Sequence, residues 1–269
     1  MNNPKVLVSV TCYNNEDEVI KFANQLAKLN YNNKALVVSI NACDNIPELE
    51  HRLREIKMPI TICNPMKNLG YLHGCMFGEL EYLKNDEYDW LMISNTDIEL
   101  SEDLFDKLHL GEMDEDIWEI GVDVVLKETD VHQNPFMLKR PSKLKMLILQ
   151  IVYSNTFFFV LYNKLARIIK RKKTNYEKSK SIFLYSVHGS IFLIKKECAK
   201  AIHREKDYMF MYDEELFVSE IIRENNKKVF LNVQAKAIHN ENQVTGKIDY
   251  NKKRKWFRES NNFILKRFY

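Results

Sequence analysis

The chain has 269 residues, of which 45% are hydrophobic and 29% charged, and its formal net charge is +3. This is the balance of an ordinary globular chain, long enough for one large domain or two small ones, and the small net charge gives no argument by itself for nucleic acid. With only 7 glycines and 6 prolines and no repeat or low-complexity tract, long flexible linkers are excluded.

Lys5 to Val10 reads as a buried strand rich in β-branched residues. Asn14-Asn15-Glu16-Asp17 then offers caps and first-turn acids for a helix reaching about Leu29. Ala35 to Ile40 is a second strand, Ile46 to Ile56 a helix, and Ile60 to Cys63 a third strand. A helix over roughly Gly74 to Lys84 precedes the apolar run from Trp90 to Ser94, a fourth strand. Strand and helix alternate over about the first hundred residues, which predicts an α/β fold with a parallel sheet flanked by helices. Beyond that, Glu112 to Glu119 is expected to be a solvated loop or helix face. Ser181 to Ile194 reads as a strand pair or a strand and turn around Gly189, Leu216 to Arg223 as a helix, and Val229 to Leu231 as a strand.

Leu144 to about Lys173 stands apart. Leu144, Leu147, Ile148, Ile151, Phe158, Leu161, Leu165 and Ile168 keep helical spacing, and Arg167, Lys170, Arg171, Lys172 and Lys173 follow. Three readings are open: a helix packed on the domain with a solvated end, a basic amphipathic helix on an anionic membrane surface, or a dimer surface giving a homodimer. Lys145, Gln150, Ser154, Asn155 and Thr156 argue against a full membrane span. The basic C-terminal tail, 246–269, contains Lys252 to Lys255 beside Trp256 and Phe257 and adds to the same charge. No RNA- or DNA-binding motif accompanies these charges, so nucleic acid is not expected as a partner.

The five cysteines are odd in number and show no C-x-x-C spacing, which reads as free thiols in a reducing compartment. The N-terminus shows no signal-peptide pattern, so a cytoplasmic chain is expected.

Chemistry collects at the strand ends. Asn95 and Asp97 are two apart at the end of the fourth strand, so they share a face if the strand continues. The carboxyl edge of an open α/β sheet is where ligands bind, and a hard cation such as Mg²⁺ or Mn²⁺ carrying a diphosphate would suit that carboxylate. A plain strand-to-loop turn is the other reading. Thr11 to Asn14 and Asn41 to Asp44 close the first and second strands. Lys67 to Tyr71 is either a helix-entry turn capped by Asn68 or a close backbone approach to a ligand at Gly70. Tyr212-Asp213-Glu214-Glu215 crowds three acids, as a helix N-terminus does or as a general base requires. His239 is a ligand or a structural histidine. There is no G-x-G-x-x-G, no G-x-x-x-x-G-K-S/T and no G-x-S-x-G.

As an ordered set these motifs resemble a family 2 glycosyltransferase of the GT-A fold. The residues that carry the resemblance are Val8 to Glu16, Asn41-Ala42, Lys67 to Tyr71, Asn95 to Ile98, His188-Gly189-Ser190, Phe210 to Glu215, and His239. It spans about residues 5 to 240, and its closest flavour is the rhamnosyl- or galactosyltransferase-like branch that builds bacterial capsule, O-antigen or cell-wall polysaccharide. The resemblance implies one GT-A domain over 1–245, with a nucleotide-binding half of about 1–100 and an acceptor half of about 101–245 containing a helical insertion of about 142–175.

It further implies a donor site for a UDP- or dTDP-sugar at Thr11, Tyr13, Asn14, Glu16, Asn41, Asn68, Gly70 and Asn95. A Mg²⁺ or Mn²⁺ would sit at Asp97 and His239, the acceptor at His188, Gly189 and Ser190, and the base at Glu215, with Glu214 as substitute. The implied activity is inverting transfer of a hexosyl or deoxyhexosyl group to a saccharide, lipid-linked where the chain sits peripherally on the inner face of the membrane. Three positions depart from the family pattern. Ile40-Asn41 replaces the usual second-strand aspartate, Glu215 stands for an aspartate, and Phe217 replaces a further acid. These departures leave a second reading open, a non-catalytic membrane-associated partner of a polysaccharide assembly complex.

Overall fold

The computed structural model describes residues 3–172, 180–207, 209–240 and 249–269, with backbone alone for 166–172. The side chains of Arg167, Lys170, Arg171 and Lys172, and Lys173 altogether, lie outside the described residues. Four strands alternate with three helices: β1 (Val6–Tyr13), α1 (Glu16–Lys28), β2 (Lys34–Ala42), α2 (Ile46–Arg54), β3 (Ile60–Cys63), α3 (Tyr71–Leu83) and β4 (Trp90–Ser94). All four strands are parallel, in the order β3-β2-β1-β4. The alternation in β1 explains why the sheet is covered on both faces. Val6, Val8, Val10 and Cys12 join one core with α1 and α2, while Leu7 points into a second core with α3.

The remaining elements are β5 (Ile98–Leu100), α4 (Leu104–Leu108), a 3-10 turn at Leu110–Glu112, β6 (Ile117–Leu126), α5 (Lys143–Val152), α6 (Thr156–Lys172), β7 (Ile182–Leu184), β8 (Ile191–Lys195), α7 (Lys196–Ile202), α8 (Glu214–Glu224), β9 (Lys228–His239) and α9 (Tyr250–Phe268). The sheet continues from β4 through β8, β6 and β9, and β5 and β7 pair antiparallel with β9. β8 runs antiparallel to both β4 and β6, so β6 and β9 run the same way as β1 to β4. His239, the last residue of β9, therefore lies on the edge where β1, β2 and β4 end, and β8 enters the sheet from that edge.

Two sequence expectations change. The acidic stretch expected to be solvated runs into β6, and Glu119 is buried within it. The acids at 112–116 hide the start of a strand whose later residues, Ile120, Val122 and Val124, are core. The segment beyond Leu144 is two helices rather than one. The break at Tyr153–Asn155 is held from α9, where Arg254 Nη1 donates to the carbonyls of Tyr153 at 2.8 Å and Ser154 at 2.9 Å. The basic run 252–255 lies inside α9, a helix capped by the Asp249 carboxylate. α9 buries Ser260, Asn261, Ile264 and Phe268. Among the described residues no helix is long and apolar enough to cross a membrane.

Candidate active site

Polar groups converge where the sheet's parallel strands end. Asp97 follows β4 and His239 closes β9, and the β5–β9 pairing sets them side by side. His239 Nε2 lies 3.3 Å from Asp97 Oδ1, yet that oxygen is buried and accepts no hydrogen bond. His239 Nδ1 meets Gln133 Oε1 at 2.8 Å. An amide oxygen only accepts, so Nδ1 carries a proton, and in the neutral imidazole the Nε2 lone pair faces Asp97. In that state the two atoms are facing acceptors, the donor set a divalent cation spans. A partner that fixes the histidine tautomer is the usual second layer of such a site. Asn240 holds the loop from outside, its Nδ2 donating to Asp97 O at 3.2 Å and Glu99 Oε1 at 3.1 Å. A cleft of about 300 Å³ opens beside Asp97, lined by Asp17, Glu18, Lys21, Thr96 and Asn240 among others.

Across the edge sit the turn before β8 and the start of α8. Asn95 N–H donates to Ser190 O at 2.8 Å, which ties β4 to that turn. His188 Nδ1 lies 2.9 Å from Ser190 Oγ, and the His188 ring is 6.2 Å from the His239 ring. Gly189 N–H donates to Glu215 Oε1 at 3.1 Å, and Tyr71 Oη donates to Gly189 O at 3.0 Å. The acids that open α8, Glu214 and Glu215, follow two consecutive left-handed residues, Tyr212 at φ 69° and Asp213 at φ 61°. Non-glycine residues there cost about 1–3 kcal/mol each, a strain that concentrates at functional sites. Burial, and next the neighbouring Glu215 carboxylate, push Glu214 up to about 8 and Asp213 up to about 7. Glu214 is thus mostly protonated at neutral pH, whereas Glu215 accepts a backbone N–H, a bond that favours a carboxylate.

The donor side is built from β1 and β2. Asn14 takes φ 52° and its N–H donates to Ala42 O at 3.0 Å, which turns the chain at the end of β1. Tyr13 is exposed there, and Thr11 packs under α3, where its Cγ2 would lie 2.7 Å from a Cβ on Gly74. Asn41 is not free to read a ligand: its Nδ2 donates to Gly70 O at 2.7 Å and its Oδ1 accepts from Leu69 N at 3.2 Å. Asn68 Oδ1 likewise accepts from Gly70 N at 2.8 Å, and Gly70 rather than Asn68 is the residue that precedes α3. Glu16 stands apart from the cluster, its Oε1 accepting from Asp44 N at 2.9 Å with the thiols of Cys12 and Cys43 alongside. Burial pushes those thiols up to about 12 and about 11, so both stay protonated.

Three residues to which the sequence assigns no site role complete the site. Gln133 orients His239 and Tyr71 holds the Gly189 turn. Asn15 Nδ2 donates to Thr96 Oγ1 at 2.7 Å while its Oδ1 accepts from Tyr13 N at 2.7 Å. Asn15 and Tyr71 lie in motifs the sequence made visible; nothing in the sequence marks Gln133.

The arrangement matches solved structures along most of its length. One is the mannosyltransferase PcManGT from Pyrobaculum calidifontis in complex with GDP-Man and Mn²⁺, with a TM-score of 0.56 and 13% identity over 91% of this chain and 59% of that one. This is the GT-A fold. A second match is GalNAc-T7 with UDP, GalNAc and Mn²⁺, with a TM-score of 0.59 and 11% identity over 88% of this chain and 44% of that one. The chain spans about half the length of the proteins it matches. No family model and no curated protein matches the sequence. In the GT-A fold described here, Asp97 and His239 close the far half of the sheet against the β1–β4 half.

Proposed function

We propose that the chain is an inverting, metal-dependent glycosyltransferase of the GT2 family. It takes a hexosyl or deoxyhexosyl group from a UDP- or dTDP-sugar to a saccharide acceptor, lipid-linked and at the cytoplasmic membrane face, in bacterial surface polysaccharide synthesis. The observation that carries the reading is the pair Asp97 Oδ1 and His239 Nε2, 3.3 Å apart with no hydrogen bond between them, on the edge where Gly189 holds Glu215. Residues 1–100 supply the donor half, and 101–245 the acceptor half.

Asp97 and His239 would hold Mg²⁺ or Mn²⁺, which offsets the diphosphate charge as the leaving group departs. Thr11, Tyr13, Asn14 and Asn95 line the donor side, with Asn41, Asn68 and Gly70 shaping its floor. His188, Gly189 and Ser190 line the acceptor side. Glu215 accepts the proton of the acceptor hydroxyl as its oxygen forms a bond to the anomeric carbon. The bond from that carbon to the diphosphate oxygen breaks on the opposite face, so stereochemistry inverts and no covalent nucleophile on the chain is required. Burial pushes Glu214 up to about 8, so this reading gives the base role to Glu215 and keeps Glu214 as its substitute.

Nucleotide-sugar hydrolysis with Mn²⁺ tests this reading. Activity should vanish in Asp97→Ala and Glu215→Gln; unchanged activity in both variants overturns the assignment. The second reading, a non-catalytic partner in an assembly complex, draws on the Asn41 amide being spent on the Leu69–Gly70 backbone. Calorimetry against a panel of nucleotide sugars separates the two, since metal-dependent binding excludes a partner with no donor site.

A further inference from the structure

The helix pair α5–α6 leaves its most apolar side chains uncovered. Met146, Tyr153 and Phe159 face the core, while Leu144, Leu147, Ile148 and Ile151 on α5 and Phe157, Phe158, Leu161 and Leu165 on α6 are exposed. Leu144, Leu147, Ile148 and Ile151 fall at i, i+3, i+4 and i+7, and Phe158, Leu161 and Leu165 at i, i+3 and i+7, so each set forms one face of its helix. Exposure runs from 44% at Leu161 to 69% at Phe157. A water-facing helix would carry polar residues there, and a patch on this scale marks an interaction surface.

Charge says what covers it. From Val131 to Tyr176 the chain holds ten Lys and Arg and no Asp or Glu. The whole chain is only +3, so the remainder is net acidic and the positive charge is concentrated in the segment bearing the apolar face. A second copy would bring two such cationic segments together, whereas anionic lipid headgroups neutralise them while the acyl region takes the leucines and phenylalanines.

An aromatic chain joins this face to the candidate site. The Tyr212 ring stacks on Phe257 at 4.1 Å, and Phe257 lies 5.4 Å from Tyr153 and 5.6 Å from Phe159. Tyr212 stands two residues before Glu214.

We infer that the α5–α6 face docks on an anionic lipid bilayer and so brings the start of α8, with Glu214 and Glu215, to the membrane surface. The inference rests on the glycosyltransferase reading only for its use, delivery of a lipid-carried acceptor; docking itself is independent of catalysis.

Flotation with phosphatidylcholine vesicles containing phosphatidylglycerol, against pure phosphatidylcholine, tests it on the whole chain. Binding should require the anionic lipid and fall with salt. It should weaken at least ~10-fold in Lys139→Gln/Lys145→Gln/Lys164→Gln, since each basic residue near the surface is worth a several-fold change in partition. Leu147→Gln/Ile151→Gln/Phe158→Gln should lose binding while circular dichroism and nucleotide-sugar hydrolysis without lipid stay at the level of the unaltered chain. No flotation at low salt, equal binding by the apolar variant, or a solution dimer that this variant dissolves would each overturn the inference. Docking without any donor hydrolysis would instead remove the enzymatic reading and leave the membrane face standing.

Discussion

Glu215 occupies the space that a side chain at Gly189 would need. A Cβ on Gly189 would lie 2.7 Å from Glu215 Oε1, the oxygen that already accepts the Gly189 N–H at 3.1 Å. The turn before β8 and the first turn of α8 are therefore fitted to each other through one missing methyl group.

Gly189→Ala and Gly70→Ala should part company for this reason. The first displaces the Glu215 side chain as far back as its Cγ, so stability should drop by about 1–3 kcal/mol while transfer activity falls. The second puts a Cβ 1.8 Å from the Phe210 carbonyl oxygen at a φ of +81°. No side-chain rotation relieves that clash, so the loss should exceed about 3 kcal/mol. Denaturant unfolding of both variants, beside donor turnover of the first, checks the contrast.

Glu215→Gln should lower transfer by about 10²–10⁴-fold with donor affinity retained, the usual scale for a lost general base. Glu214→Gln should cost less than ~10-fold, since burial and the Glu215 charge already hold Glu214 protonated at neutral pH. Single-turnover rates with saturating donor separate the two; equal losses would move the base role away from Glu215.

Gln133→Ala should weaken Mn²⁺ binding by about 10–100-fold without touching either proposed ligand, because His239 loses the partner that fixes its tautomer. Asp97→Ala should abolish it. Mn²⁺ titration followed by electron paramagnetic resonance reads both directly. Unchanged affinity in Gln133→Ala would show that the Nε2 lone pair is not set from Nδ1.

Stability should fall as pH rises from about 4 to about 8, by up to about 1.4 kcal/mol per pH unit for each group titrating. Glu214 rises from 4.5 to about 8 on folding, and Asp213 from 3.8 to about 7. Both bind a proton more tightly folded than unfolded. Their contribution is complete below the ordinary carboxylate values and is lost as pH climbs, Asp213's by about 7 and Glu214's by about 8. Asp213→Asn/Glu214→Gln should reduce the slope of the unfolding midpoint across that window, and the buried Glu119 carboxyl, also held well above the usual carboxylate range, supplies what remains; a slope that stays the same would place the titration elsewhere.

The β1–β4 half could be read from the sequence because its strands are short β-branched runs separated by helices that announce their own starts. The far half was harder for a physical reason. β6 begins behind the acids at 112–116, and β5 is three residues long, so neither shows a period of its own. β9 alternates buried and exposed residues from Ala235 to His239, yet Val229 to Leu231 was its only legible stretch. Within the site, Asp97, His239 and Glu215 were visible as ordered polar motifs. Gln133 was not, because its value lies in a contact across 106 positions with His239. Asn41 shows the opposite case: a polar residue at a strand end whose amide the fold also uses to hold the Leu69–Gly70 backbone.

Asn15 carries one more consequence. Its amide grips the backbone at Tyr13 with one end and the Thr96 hydroxyl with the other, so a single side chain is clamped between the tip of β1 and the residue beside Asp97. In the proposed reading, a donor nucleotide that shifts Tyr13 pulls on Thr96 through this amide. Nucleotide choice and metal choice would then not be separable traits: by reciprocity, whatever a base gains from the metal, the metal gains from the base. A variant bred for a new donor would arrive with a new metal preference, unasked.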